Sequence, residues 1–248
     1  MSQRALAGVD GCRGGWIAAI EWPDGACGLR LFAGFAALLQ TVPPDALVLV
    51  DMPIGLPDQI RGPGRAAEQA ARPHLGARRG SVFSIPAREA VEAGRGPFRD
   101  RATRLAAYRE SCRLARLRSA PPSAVSIQGF GLFGKILEID DLLRADPTLA
   151  ERVLESHPEL VLTGLAGAPC RYPKTVREGA AERRAILLAH GLPAGLAAAP
   201  RPCGAAEDDR LDACALLLAA RRAQAGRIRR FPDPPERDRY DLPITIHA

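Results

Sequence analysis

Leu6-Ala7-Gly8-Val9-Asp10-Gly11-Cys12-Arg13-Gly14-Gly15-Trp16 is the stretch on which the reading of this chain turns. A short apolar run, Ala5 to Val9, stops at Asp10. Gly11, Gly14 and Gly15 follow, and Trp16-Ile17-Ala18-Ala19-Ile20 opens a second apolar run. The pattern predicts strand, tight turn, strand, with one carboxylate at the lip of the first strand. Glycine in such a turn permits positive φ and close approach of other groups to the backbone. A hairpin whose Asp merely shapes the turn would look the same locally. The acids further along the chain decide between the two readings.

Working outward, Gly28–Phe32 reads as a third strand and completes an antiparallel meander. Phe35–Thr41 reads as a short helix closed by Pro43-Pro44. Ala46–Val50 is a continuous apolar run ending at Asp51, the pattern of a strand buried on both faces and therefore parallel and central. Met52-Pro53-Ile54-Gly55-Leu56-Pro57 stops it. Residues 61–118 are mainly helical in pattern, interrupted by an extended Ser81–Pro86. Gly129–Gly134 reads as flexible, Arg152–Ser156 as a last strand, Lys174–His190 as a helix and Leu192–Gly204 as a connector. Asp208–Ala223 is a helix, and the proline-bearing tail ends in a short strand at Ile244–His247. One domain, 1–248, with a helical insertion at about 58–120, accounts for this order.

Composition narrows the function. The chain has 248 residues and 47% hydrophobic content, enough for one substantial core. No apolar run reaches the ~20 residues of a membrane span. The N-terminus shows no signal-peptide pattern, so a cytoplasmic protein is expected. Six scattered cysteines, none at C-x-x-C spacing, predict free thiols rather than zinc or disulfides. Lys135 and Lys174 are the only lysines, and asparagine is absent. Residues 61–118 carry 14 arginines against 5 acids, although the whole chain is only +6. A basic segment in an acidic scaffold suggests a polyanion partner. Arg61, Arg65, Arg72, Arg78 and Arg79 are candidate contacts to backbone phosphate. Aromatic residues make up 5% of the chain, which argues against a stacking platform for single strands.

Asp10 and Asp51 share a design: each ends an apolar strand before a Gly- or Pro-bearing stop. On parallel neighbouring strands they stand at the same sheet edge, where open α/β sheets bind ligands. Glu207-Asp208-Asp209-Arg210-Leu211-Asp212-Ala213 supplies the third element. Asp209 and Asp212 lie one helical turn apart, on the side carrying Ala213 and Leu216. Asp208 reads as an ordinary cap; Asp212 lies too deep for one. Carboxylates converging without an intervening lysine raise each other's pKa, and a divalent cation resolves the conflict. Oxygen-only ligands suit Mg²⁺ or Mn²⁺, and a pair of such ions serves phosphodiester cleavage.

These motifs, with Ser81-Val82-Phe83, Lys135-Ile136-Leu137-Glu138 and Glu155-Ser156-His157-Pro158-Glu159 between them, resemble in order the family labelled domain of unknown function 429. That family is described as predicted nucleases of ribonuclease H-like fold. The resemblance runs from about Gly8 to Ala220, with no matching motif beyond Arg221. It implies a mixed five-stranded sheet: three antiparallel strands, two more parallel to the first, and helices on both faces. It also implies Asp10, Asp51, Asp209 and Asp212 as metal ligands.

Four other residues stand behind these. Glu155 is a candidate further ligand. His157 is a candidate base, though His-Pro-Glu equally marks a helix start. Lys174 and Arg13 are candidate phosphate contacts. The expected function is a metal-dependent nuclease, with DNA or RNA and a second copy of the chain as candidate partners. The competing readings are a phosphotransferase of the sugar kinase and actin class, and a non-catalytic nucleic-acid-binding protein.

Overall fold

The computed structural model describes residues 4–248. β1 (Leu6–Cys12), β2 (Gly15–Glu21) and β3 (Cys27–Phe32) form the expected meander. α1 (Phe35–Thr41) carries the chain over to β4 (Leu47–Val50). β1 does not end at Asp10. It continues through Gly11 to Cys12, paired with β2, and the turn is Arg13-Gly14.

The Arg-rich segment begins and ends at one small parallel pair, β5 (Ile60–Arg61) with β6 (Ser119–Ala120). Between them lie α2 (Ala66–Ala71), a 3₁₀ stretch over Arg72–Ser81, the extended Val82–Ala87, α3 (Arg88–Glu92) and α4 (Arg101–Leu117). Then come α5 (Ile127–Ala145), β7 (Val153–Glu155), α6 (Pro158–Ala166) and α7 (Arg177–Ala189). α8 (Ala194–Ala198) and α9 (Glu207–Gln224) precede a terminal hairpin, β8 (Arg230–Arg237) and β9 (Pro243–His247).

The main sheet has the order β3-β2-β1-β4-β7, antiparallel from β3 to β1 and parallel from β1 to β7. This α/β architecture with a mixed sheet is the one expected. Alternation along β1 divides two cores. Ala7 and Val9 face α1 and α5, while Leu6 and Cys12 face α9.

Two regions differ from the sequence reading. Gly129–Gly134 is helical, inside α5, because Phe130, Phe133, Ile136 and Leu137 bury one continuous stripe that outweighs the helix cost of glycine. Local sequence does not announce β8, since prolines discourage a strand. It exists because it pairs only with β9, on an edge where missing N–H groups cost little. Among the described residues no helix is long and apolar enough to cross a membrane.

Candidate functional site

The site begins with a glycine. A Cβ at Gly8 would overlap the backbone nitrogen of Leu217 and the carbonyl oxygen of Ala213, so α9 lies directly on β1. Gly8, Asp10 and Cys12 share one face of the strand. Two residues on from the contact, β1 presents Asp10. One turn back along α9 lie Asp209 and Asp212. The parallel register pairs Val9 with Val50, and the Asp51 amide donates to the Val9 carbonyl at 2.9 Å. Asp51 therefore stands beside Asp10 on the α9 side.

All four expected carboxylates line one cleft of about 450 Å³, together with His157, Glu159 and Lys174. Asp10 and Asp212 are buried; Asp51 and Asp209 are half-buried. Burial raises the pKa of Asp10 well above the usual carboxylate value, and Asp51 and Asp212 add to it by repulsion. Burial also raises Asp51, against the pull of His157 and Lys174. Asp212 is pushed up to about 6, by burial first, against Lys174.

The cluster does contain a lysine, contrary to expectation. Lys174 Nζ lies 2.8 Å from Asp212 Oδ2 and 3.6 Å from Asp208 Oδ2, with 41% of its side chain exposed. Burial alone would depress its pKa, but the neighbouring Asp212 raises it instead. Lys174 is thus the counter-ion of the acids. Asp208, read as a cap, faces this lysine. The N-cap position belongs to Ala206, and Asp209, three residues on, accepts from the Ala206 amide through Oδ2 at 2.7 Å.

Glu155 lines the same cleft as the four, but its carboxylate is already engaged. It pairs with Val50, whose side chain belongs to the other core. Its carboxylate accepts from Arg65 Nη2 at 2.6 Å and from the Ile54 amide at 2.7 Å. Arg65 is not a phosphate contact. It is 1% exposed and bound to Glu68, Glu155 and the carbonyls of Ile54 and Gly55. Composition cannot distinguish a guanidinium that holds buried carboxylates from one in solvent.

Arg72 ties the carbonyls of Pro63 and Val82 to Ser84 Oγ. Arg78 holds the carbonyls of Cys170 and Arg171. Arg61, Arg79 and Arg13 are exposed. His157 takes the N-cap position of α6 with Pro158 next, as the helix-start reading has it, and it also lines the cleft.

The phosphate-cradle alternative for the first turn finds its amide engaged. Gly14 N–H donates to the Gly204 carbonyl at 2.9 Å, and a Cβ at Gly15 would overlap the Phe32 carbonyl oxygen. These glycines serve packing.

Sequence reasoning missed Ser81, Phe83 and Glu159 as cleft residues, although each stands in a quoted motif. Among the described residues, four buried polar atoms around this one cleft have no hydrogen-bond partner: Ser81 Oγ, His157 Nδ1, Glu159 Oε2 and Asp212 Oδ1. Buried polar atoms are normally paired, so their concentration around one cleft sets this region apart from the rest of the core. For a divalent cation the donors fit in kind: they are oxygens, mutually repelling, with Asp212 Oδ1 unengaged. Their spacing is wider than a cage. Among the described residues no three His, Cys, Asp or Glu side chains are grouped closely enough to hold an ion as they stand.

Comparison with curated proteins and with solved structures finds no match. A family model described as "Protein of unknown function (DUF429)" matches residues 8–237, which takes in the cleft, α9 and the first strand of the terminal hairpin. The chain belongs to that family.

Proposed function

We propose that the protein is a divalent-cation-dependent nuclease, with nucleic acid as its partner. The observation that carries this reading is the convergence of Asp10, Asp51, Asp209 and Asp212 in one cleft, from two strands and a helix far apart in sequence. Asp10, Asp51 and Asp212 are the residues to hold Mg²⁺ or Mn²⁺, with Asp209 beside them. Such an ion supplies an activated water and neutralises charge on the scissile phosphate.

The chain's own groups do the rest. Lys174 lowers the repulsion among the acids and is the internal cation with which a metal competes. His157, a titratable neighbour of Asp51 that lines the cleft and has an unengaged Nδ1, is the candidate base. The exposed Arg61 and Arg79 remain available to phosphates outside the cleft.

The test is incubation with Mn²⁺ or Mg²⁺ and labelled single-stranded, duplex and branched DNA and RNA. Cleavage is expected, and Asp10→Asn and Asp212→Asn should each lower it at least about a hundredfold while keeping the fold. ATP turnover in place of cleavage would favour the phosphotransferase. Salt-sensitive binding without either activity would favour a non-catalytic binder.

A further inference from the structure

The cleft has a second half that the acids do not use. Besides the acids, the cleft is lined by the apolar side chains of Met52, Val82, Phe83, Ile85 and Leu132, which make up its apolar wall. Phe83 is 40% exposed, whereas most phenylalanines of the chain are buried. It sits on the extended Val82–Ala87, which Arg72 pins through the Val82 carbonyl and Ser84 Oγ. The ring is therefore held on a braced segment. Beside the wall lie three of the unengaged buried polar atoms, Ser81 Oγ, His157 Nδ1 and Glu159 Oε2. His157 and Ser81 are neighbours, with Nε2 3.4 Å from the Ser81 carbonyl oxygen. Arg183 fixes Glu159 through Oε1 and leaves Oε2 unengaged.

From this we infer that the cleft is a receptor for one unpaired nucleobase, stacked against Phe83. The sugar and phosphate then point toward the acids. The inference rests on the nuclease reading only for the phosphate end. A planar ring matches an exposed aromatic face. A hydroxyl, an imidazole and a carboxylate oxygen together match the donors and acceptors on a base edge. A volume of about 450 Å³ suits a ligand of one nucleotide's size. A base stacked inside a duplex cannot offer its face to Phe83, so the substrate is single-stranded, or the base is turned out of the helix. Aromatic residues are few in this chain, but one correctly placed ring is enough for one base.

The test compares two probes that differ only in the base, AMP and ribose 5-phosphate. Each is titrated by calorimetry into the full chain in the presence of Mn²⁺. AMP should bind about tenfold tighter or more, the effect of a stacked base. Phe83→Ala should abolish the difference without changing ribose 5-phosphate binding or thermal stability, and Phe83→Trp should keep it. Failure of AMP to bind more tightly than ribose 5-phosphate overturns the inference, as does a preference that survives Phe83→Ala. The two readings fail separately. Base-dependent binding without cleavage leaves the receptor standing and removes the nuclease. Cleavage with base-independent binding does the reverse.

Discussion

Two charged clusters lie against the same cleft, and they are built on opposite principles. Around Arg65, the guanidinium and the carboxylates of Glu68 and Glu155 bond to one another and to backbone groups of residues 54, 55 and 65. Around Asp10, a single half-exposed lysine faces several acids, and Asp212 Oδ1 has no partner. Both contain more acid than base. The difference is hydrogen bonding. The first cluster is closed and therefore structural; the second is open and therefore able to receive something. A buried ion network that satisfies itself holds the fold, whereas one left short of partners marks the chemistry.

Substitution separates the two most strongly. Arg65→Met leaves Glu155 and Glu68 buried without their cation and should cost about 3–5 kcal/mol in chemical denaturation. Asp212→Asn, in the open cluster, should change stability by less than about 1 kcal/mol, since it also removes repulsion. Equal losses would erase the distinction. Gly8→Ala comes next. Its methyl group has no room under α9 and should cost about 1–3 kcal/mol, with Mn²⁺ binding weakened because Asp212 shifts relative to Asp10.

A pH series sharpens the contrast further. Burial raises Glu68 from its ordinary 4.5 to about 7. Between those values the folded state holds a proton that the unfolded chain releases. Glu68 therefore contributes stability that is fully present below about 4.5 and is lost as pH rises through about 7. Glu68→Gln should flatten that part of the stability profile. The smallest effect is expected at Lys174→Ala. Removing the internal competitor should strengthen Mn²⁺ binding several-fold, about 1 kcal/mol, as read by electron paramagnetic resonance. Weakened Mn²⁺ binding would mean that the lysine organises the acids rather than competing for them.

The sequence discloses the open cluster better than the closed one. Asp10 and Asp51 are legible because a strand buried on both faces tolerates a carboxylate only where it ends or where something receives the charge. Asp212 is legible because helical spacing puts it on the apolar side of α9. Nothing local joins Lys174 to Asp212, which lie 38 residues apart. Nothing in Gly62-Pro63-Gly64-Arg65 announces that this arginine turns inward to Glu155, 90 residues away. Pairings at such separation are set by the fold, and arginine-rich composition made every member of its segment look alike. Of the terminal hairpin, the last strand is legible at Ile244–His247, and the first is hidden for a different reason. That first strand runs through prolines that local propensity rejects and only an edge position tolerates.

The seating of the last long helix on Gly8 also sets an order in time. Asp10 and Asp51 leave the ribosome first, and Asp209 and Asp212 emerge only after the long stretch between the two pairs has been made. A partly synthesised chain carries half of the acidic constellation and has no helix to press against its first strand. The cleft therefore assembles only once the helix that carries its second pair of acids has been made and seated on the first strand.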